Sequence, residues 1–267
     1  MTAADAPADD LALIVAAAHE AGELAAELRD RGLSVSYKAG DSPVTNADFA
    51  ADRLLLDRLG GARPTYGWLS EETADDPRRL AKKRLFLVDP IDGTRAFIKG
   101  KPWWAVCIAV IEGDRPIAGV VFAPQVGETY AATLGGGATL NGQPIRASEV
   151  DTVEGCGMVG DPQMFAHPGW PVPWPRMRIE PRNSTAYRMC LVAAGAFDAT
   201  VAPVAKHDWD LAAADLIASE AGCFVGDHAG EIFRYNQRRP MQRSLICTAP
   251  GLAPLILERV RPIAVPS

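Results

Sequence analysis

Two aspartates stand three residues apart in LFLVDPIDGTRAF, residues 85–97, where an apolar run that reads as a buried strand ends in Asp89, Pro90, Ile91, Asp92, Gly93 and Thr94. Hard divalent cations take oxygen ligands, and Mg2+ sits on a few carboxylates together with substrate phosphate and water. Pro90 fixes the backbone between the two acids, so both are aimed in set directions and the Ile91 carbonyl offers a third oxygen. Gly93 and Thr94 then open a helix toward Ile98, whose N–H groups and positive dipole end form a seat for an anion. Acids for a cation beside a helix start for an anion is the layout of a metal-bridged phosphate. An isolated Asp-x-x-Asp is more often a turn with a helix cap. Here two further acidic points accompany it: Glu71 and Glu72 end another predicted strand, and Trp209-Asp210 opens an Ala-rich helix.

Positioning these acids requires a particular set of elements. Apolar residues at helical spacing from Asp10 to Arg31 predict an amphipathic helix stopped at Gly32. A polar loop from Lys38 leads to a helix that starts at Thr45 to Asp48, runs through Leu54 to Leu59 and stops at Gly60-Gly61. TYGWLSEET reads as a short strand, and after Arg84–Val88 come the strands WWAVCIAVIEG, PIAGVVFAP, ETYAATLG and ATLNGQPIRAS, with Asn141-Gly142 as a hairpin turn. The second half alternates: GCGMVGD, FDATVAP and CFVGD extended, and TAYRMCLVAAG, WDLAAADLIASEAG and APLILERV helical. This predicts helices with a mostly antiparallel sheet over residues 1–143, then a smaller α/β part over 144–267 that carries Asp210 and the specificity elements. The Pro/Trp-rich segment 166–176 reads as an irregular loop, in which Trp170 and Trp174 form either an aromatic wall for a base or a packed surface.

Composition narrows the partners. A net charge of −6 and a pI near 5.3 exclude a general nucleic-acid or anionic-membrane surface, which needs a dense Lys/Arg face; a small phosphorylated ligand in a locally basic pocket remains compatible. The five scattered cysteines lack CxxC or zinc spacing and read as reduced thiols. His19, Glu20 and Glu23 interrupt the apolar N-terminal stretch, which has no basic leader, so neither signal nor membrane span is predicted and a cytoplasmic protein is expected. LGGGATLNG has neither the Lys-Ser/Thr of a Walker loop nor G-x-G-x-x-G spacing.

SEE at residues 70–72, VDPIDGT at 88–94 and HDWDLAAADLIASEAG at 207–222 resemble the three signature motifs of the inositol monophosphatase superfamily, and KAGDSPVTNAD at 38–48 resembles its N-terminal metal-site loop. The resemblance covers most of the chain. It implies a lithium-sensitive phosphomonoesterase that uses two to three Mg2+ ions, with Mn2+ as a substitute, a layered αβαβα fold and a homodimer. It implies a first metal site of Glu71, Asp89 and the Ile91 carbonyl, and a second of Asp89, Asp92 and Asp210; a further, weaker ion leans on Glu71. Two cations about 3.5 to 4 Å apart clamp the attacking and leaving oxygens of an in-line displacement. Thr94, supported by Asp48, and Glu71 would orient and deprotonate the water, Gly93 and Thr94 would hold phosphate, and Lys38 would stand beside the metal loop.

The substrate is read from departures within the superfamily. Inositol enzymes carry a ring-binding glutamate seven residues before the Trp-Asp aspartate, where this chain has Pro203. DGTRAF and SPVTNAD are closer to the bacterial 3'(2'),5'-bisphosphate nucleotidases, so hydrolysis of adenosine 3',5'-bisphosphate to AMP is the favoured expectation. Inositol-1-monophosphatase and histidinol-phosphate phosphatase are the alternatives, and a scaffold that has lost catalysis is disfavoured because every ligand position is filled. Ser184, Arg188, Lys206 and Arg95, with Lys99 nearby, are the candidates to hold the substrate and its second phosphate.

Overall fold

The computed structural model describes residues 7–38 and 40–263. Helix α1 (Pro7–Arg31) leads through a hairpin, β1 (Val35–Tyr37) and β2 (Pro43–Thr45), into α2 (Asn46–Ala62). Next come β3 (Gly67–Ser70), β4 (Arg84–Asp92) and the short α3 (Thr94–Ile98). Strands β5 (Ala105–Glu112), β6 (Arg115–Ala123), β7 (Glu128–Thr133), β8 (Gly137–Leu140) and β9 (Gln143–Pro144) then complete a seven-stranded sheet in sequential order. Only its β3–β4 pair is parallel.

The rest of the chain contributes β10 (Gly157–Val159), α4 (Pro162–Phe165), β11 (Arg178–Glu180), α5 (Thr185–Ala193), β12 (Ala199–Ala202) and β13 (Lys206–His207). It ends with α6 (Ala212–Glu220), β14 (Phe224–Gly226), β15 (Met241–Gln242), β16 (Leu245–Thr248) and α7 (Ala253–Val260). Five of these strands form a mixed sheet ordered β11-β10-β12-β16-β14.

Three apolar clusters stack these elements into the αβαβα layers. In β4, Phe86 and Val88 face α1 and α2, whereas Leu85 and Leu87 face α5 and α6. Val106, Ile108 and Val110 of β5 alternate with Ala105, Cys107 and Ala109 in the same way. A sheet buried on both faces therefore reads as a continuous apolar run, as these strands do in the sequence. Beyond α5 and α6, the five-stranded sheet packs its other face against α7.

The layers approach closely where residues are smallest. A methyl group on Gly119 of β6 would lie 3.0 Å from the Ala213 carbonyl oxygen and 3.1 Å from its Cα. Backbone on the far side cannot turn aside, so Gly119→Ala is expected to destabilise the fold by about 1 to 3 kcal/mol, the usual cost of overpacking. Urea denaturation tests this; a loss under about 0.5 kcal/mol would contradict such tight packing.

Two local differences from the sequence expectations have clear causes. Helix α2 does not stop at Gly60-Gly61 but continues to Ala62, because buried Leu55 and Leu59 hold its last turns and Arg63 N–H donates to the Leu59 carbonyl at 2.9 Å. The predicted turn after Val88 is an irregularity within β4: Asp89 pairs with Cys107, Asp92 pairs with Ala105, and the register shifts between them. Pro90 has no N–H to give the ladder, and such bulges re-aim side chains.

Candidate active site

Register brings the first acids together. β3 and β4 are parallel, with Ser70 opposite Val88, so Glu71 and Asp89 leave neighbouring strand ends side by side. Glu71 N–H donates to the Val88 carbonyl at 3.2 Å and fixes that exit. Asp210 comes from the other half, on a turn at Asp208–Asp210 just before α6, where its carboxylate accepts from His207 N–H at 3.3 Å. One carboxylate oxygen each from Glu71, Asp89 and Asp210 lies within 4.8 Å of the others. Asp92 stands apart from that trio: its Oδ2 accepts from Ser184 Oγ and from Ala186 N–H, both at 2.7 Å, tying the bulge to the start of α5.

Helix α2 supplies the next group. Thr45 caps it in a capping box with Asp48, whose Oδ2 accepts from Thr45 N–H at 2.8 Å and Thr45 Oγ1 at 2.6 Å. Asp48 Oδ1 accepts from Thr94 Oγ1 at 3.3 Å, and the same hydroxyl lies 3.1 Å from the Ile91 carbonyl. Lys38 Nζ donates to Glu71 at 2.9 Å and to Glu72 at 2.6 Å.

These charges are unfavourable without a counter-ion. Burial, then Glu71, Asp92 and Asp210, holds Asp89 well above the carboxylate range. Burial and Asp92 push Asp210 up to about 7. Burial likewise takes Glu72 to about 7, with Lys38 opposing, and raises Asp48 against the pull of Thr45. An all-oxygen donor set, buried and crowded with like charge, fits a hard divalent cation, which removes the repulsion by binding. Glu71, Asp89, Asp92, Asp210 and the Ile91 carbonyl are the groups available to hold it.

The shifts carry a pH prediction for the metal-free protein. Folded values above unfolded ones mean that the folded state binds more protons, so stability falls as pH rises from 3.8 toward about 7 for Asp210 and from 4.5 toward about 7 for Glu72. His207, held low by burial, opposes this as a single group. In chelator the melting temperature is expected to be higher at pH 5.5 than at pH 7.5, and saturating Mg2+ should flatten the difference; a chelated protein that gains stability over that rise would contradict the acid crowding.

The same site also carries cations. A cavity of about 320 Å³ is lined by the acids Glu71, Asp89, Asp92 and Asp210 with Ile91, by Gly93, Thr94 and Arg95, and by Asn183, Ser184, Thr185, Arg188 and Lys206. Lys206 Nζ donates to Thr185 Oγ1 at 3.1 Å, and Arg188 Nη2 lies 3.5 Å from the same hydroxyl. Two cations thus converge on one neutral oxygen, and Arg188 Nε is buried with no hydrogen-bond partner among the described residues. Arg95 is exposed at the rim, donating to the Asp41 carbonyl at 2.8 Å, and Lys99 is exposed.

Every candidate metal ligand, water-activating group and phosphate contact from the sequence therefore lines this cavity or hydrogen-bonds to a residue that does, except Lys99. Asn183 and Thr185 were not foreseen; Asn183-Ser184-Thr185 before an apolar helical run is a helix-cap signal that marks them. Pro203 lies instead on a cavity of about 210 Å³ with Met164 and Trp170. Trp170 and Trp174 pack edge to face at 5.1 Å against the outer cluster, so the 166–176 loop is a packed surface. A larger cavity of about 780 Å³, lined by Cys223, Phe224, Pro250 and Leu257, has no acid cluster; here chemistry rather than size marks the site.

The sequence model of the inositol monophosphatase family matches residues 8–264. An inositol-1-monophosphatase of Mesorhizobium japonicum is 35% identical over 82% of this chain and 86% of its own length. A histidinol-phosphatase of Mycobacterium tuberculosis is 34% identical over 80% of this chain and 85% of its own. The structure of an IMPase from Thermotoga maritima superposes with a TM-score of 0.82 at 28% identity, covering 95% of this chain and 97% of that one. With the acids gathered at the ends of β3 and β4 and the match running nearly end to end, the chain belongs to the inositol monophosphatase family, whose members are phosphatases acting on phosphomonoesters.

Proposed function

We propose that this chain is a Mg2+-dependent phosphomonoesterase whose substrate carries a second phosphate, with adenosine 3',5'-bisphosphate, hydrolysed to AMP and phosphate, as the best fit. The observation that carries the substrate class is the pair Arg188 and Lys206, which share the Thr185 hydroxyl in the same cavity as the acids. Among the described residues neither cation hydrogen-bonds directly to an acid, although Asp92 and Asp210 lie near Arg188, and a second phosphate would supply that partner. A neutral polyol does not require it, and a cationic amine is repelled by it. The two curated relatives bear the names of those competing substrates at 35% and 34% identity, so relatedness does not choose between them.

Bound Mg2+ would lower the pKa of the attacking water and offset charge on the phosphoryl group. The protein's own residues do the rest. Thr94 Oγ1 gives its hydrogen to Asp48 Oδ1 at 3.3 Å, which leaves its lone pairs to orient the water. Glu71 takes the water's proton, the ester P–O bond breaks as the new one forms, and the leaving oxygen takes a proton from solvent water to depart as the alcohol. Gly93 and Thr94 open α3 at the cavity and hold phosphate oxygens. No covalent phosphoenzyme forms. Inhibition by Li+, substitution by Mn2+, a cytoplasmic location and a homodimer belong to the same reading; no helix among the described residues is long and apolar enough to cross a membrane.

Comparing kcat/KM for adenosine 3',5'-bisphosphate, inositol 1-phosphate and histidinol phosphate tests the substrate. The first is expected to lead by at least about tenfold, the yield of roughly 1.4 kcal/mol of extra binding. A preference for either of the others rejects the bisphosphate.

A further inference from the structure

One buried carboxylate close to the site has no part in the chemistry above. Asp52 is 7% exposed and lies on α2 four residues after Asp48, hence on the same helix face one turn on. Its Oδ1 accepts from Ser70 Oγ at 2.5 Å and its Oδ2 from Thr73 Oγ1 at 2.6 Å. Ser70 and Thr73 bracket Glu71 and Glu72, and Ser70 Oγ also accepts from Glu72 N–H at 3.4 Å. The segment therefore curls around one carboxylate while Glu71 N–H is tied to β4 at Val88. Two hydroxyls donating to one buried carboxyl group make short, directional bonds.

We infer that Asp52 is a positioning residue for Glu71: by strapping both flanks of the Glu71-Glu72 pair to α2, it sets where the Glu71 carboxylate meets Asp89 and Asp210. Through Asp48 the same helix also sets Thr94, so one rigid element fixes the spacing of both groups that act on the water. Lys38 cannot substitute for this strap, because it grips the carboxylates themselves and leaves the backbone free. The inference rests on the metal-site reading proposed above.

Isothermal titration of Mg2+ into the chelator-stripped full chain separates the two. Wild type that binds no Mg2+ overturns the metal-site reading itself. If wild type binds, Asp52→Asn is expected to bind about 10- to 100-fold more weakly, the usual loss when a partner of a metal ligand is removed. Its kcat should fall while KM for the bisphosphate stays within about twofold, because Arg188 and Lys206 are untouched. Thr73→Val, which deletes one strap and keeps side-chain size, should show a smaller loss in the same direction, and serves if Asp52→Asn does not fold. Asp10→Asn is the control for mere destabilisation: Asp10 accepts from Arg63, Tyr66 and Arg84 at the far end of β4, so its melting temperature should drop with Mg2+ affinity unchanged. Mg2+ binding within twofold of wild type in both strap variants, or an equal loss in Asp10→Asn, overturns the positioning role.

Discussion

Asp89→Asn is expected to lower kcat/KM for any phosphomonoester by about a thousandfold or more, since a carboxylate that would hold the proposed metal would support several kcal/mol of transition-state stabilisation. Asp89 is 1% exposed and faces Glu71 and Asp210 within the 4.8 Å cluster. The amide keeps the side-chain shape and can still accept from Ile91 N–H, which donates to Asp89 Oδ1 at 3.0 Å, so the bulge should persist. What disappears is the charge, and the consequence for stability has the opposite sign. Burial and four neighbouring acids hold the Asp89 pKa well above its usual range, so its ionised form opposes folding when no metal is present. In chelator at pH 8, Asp89→Asn should therefore melt at least about 2 °C higher than wild type, the shift that roughly 1 kcal/mol gives a protein of this size. A variant that is inactive and also less stable in chelator would point to a collapsed site rather than a lost ligand.

The second large effect is expected at the cations of the site. Arg188→Met should lower kcat/KM for adenosine 3',5'-bisphosphate by about 10- to 100-fold, the value of a charge-assisted hydrogen bond of roughly 1.5 to 3 kcal/mol. Methionine fills much of the same volume, so packing on α5 is retained. Burial holds the Arg188 pKa below its ordinary value, against the pull of Asp92 and Asp210, yet the guanidinium remains charged at any working pH. A phosphomonoester without a second phosphate should lose less than about threefold in the same variant, because the bond to the second phosphate is absent from both proteins. Equal losses on the two substrates would instead assign Arg188 to the phosphate that is cleaved.

Much of this was legible in the sequence because the acids sit at element ends that local patterns mark. Asp89 and Asp92 follow an apolar strand with a proline between them, and Asp210 precedes a helix rich in buried alanines. Asp48 was marked by its cap, since Thr45 and Asp48 have the spacing of a capping box. What lay beyond sequence reading depends on contacts between remote segments. The tie from Asp92 to Ser184 and Ala186 spans 92 and 94 residues and joins the two halves of the chain. No spacing rule reports it. The parallel register that sets Glu71 beside Asp89 depends likewise on which strands pair. The bulge in β4 looked like a turn because Pro90 and Gly93 are turn residues in both settings, and only the pairing of Asp92 with Ala105 shows that the strand goes on. Asp52 carries no sequence signal, because a lone aspartate within a helix is usually a solvated side chain and its two partners lie in another segment.

The central claim is that the acids at the ends of β3 and β4, with Asp210, hold a metal that drives phosphomonoester hydrolysis. Phosphate release from adenosine 3',5'-bisphosphate by the chelator-stripped wild type, followed as Mg2+ is added back, tests it most directly. The account predicts no release above background without metal, and release that saturates with Mg2+. Hydrolysis at an undiminished rate in excess chelator, or none at any Mg2+ concentration with all three candidate esters, would contradict it.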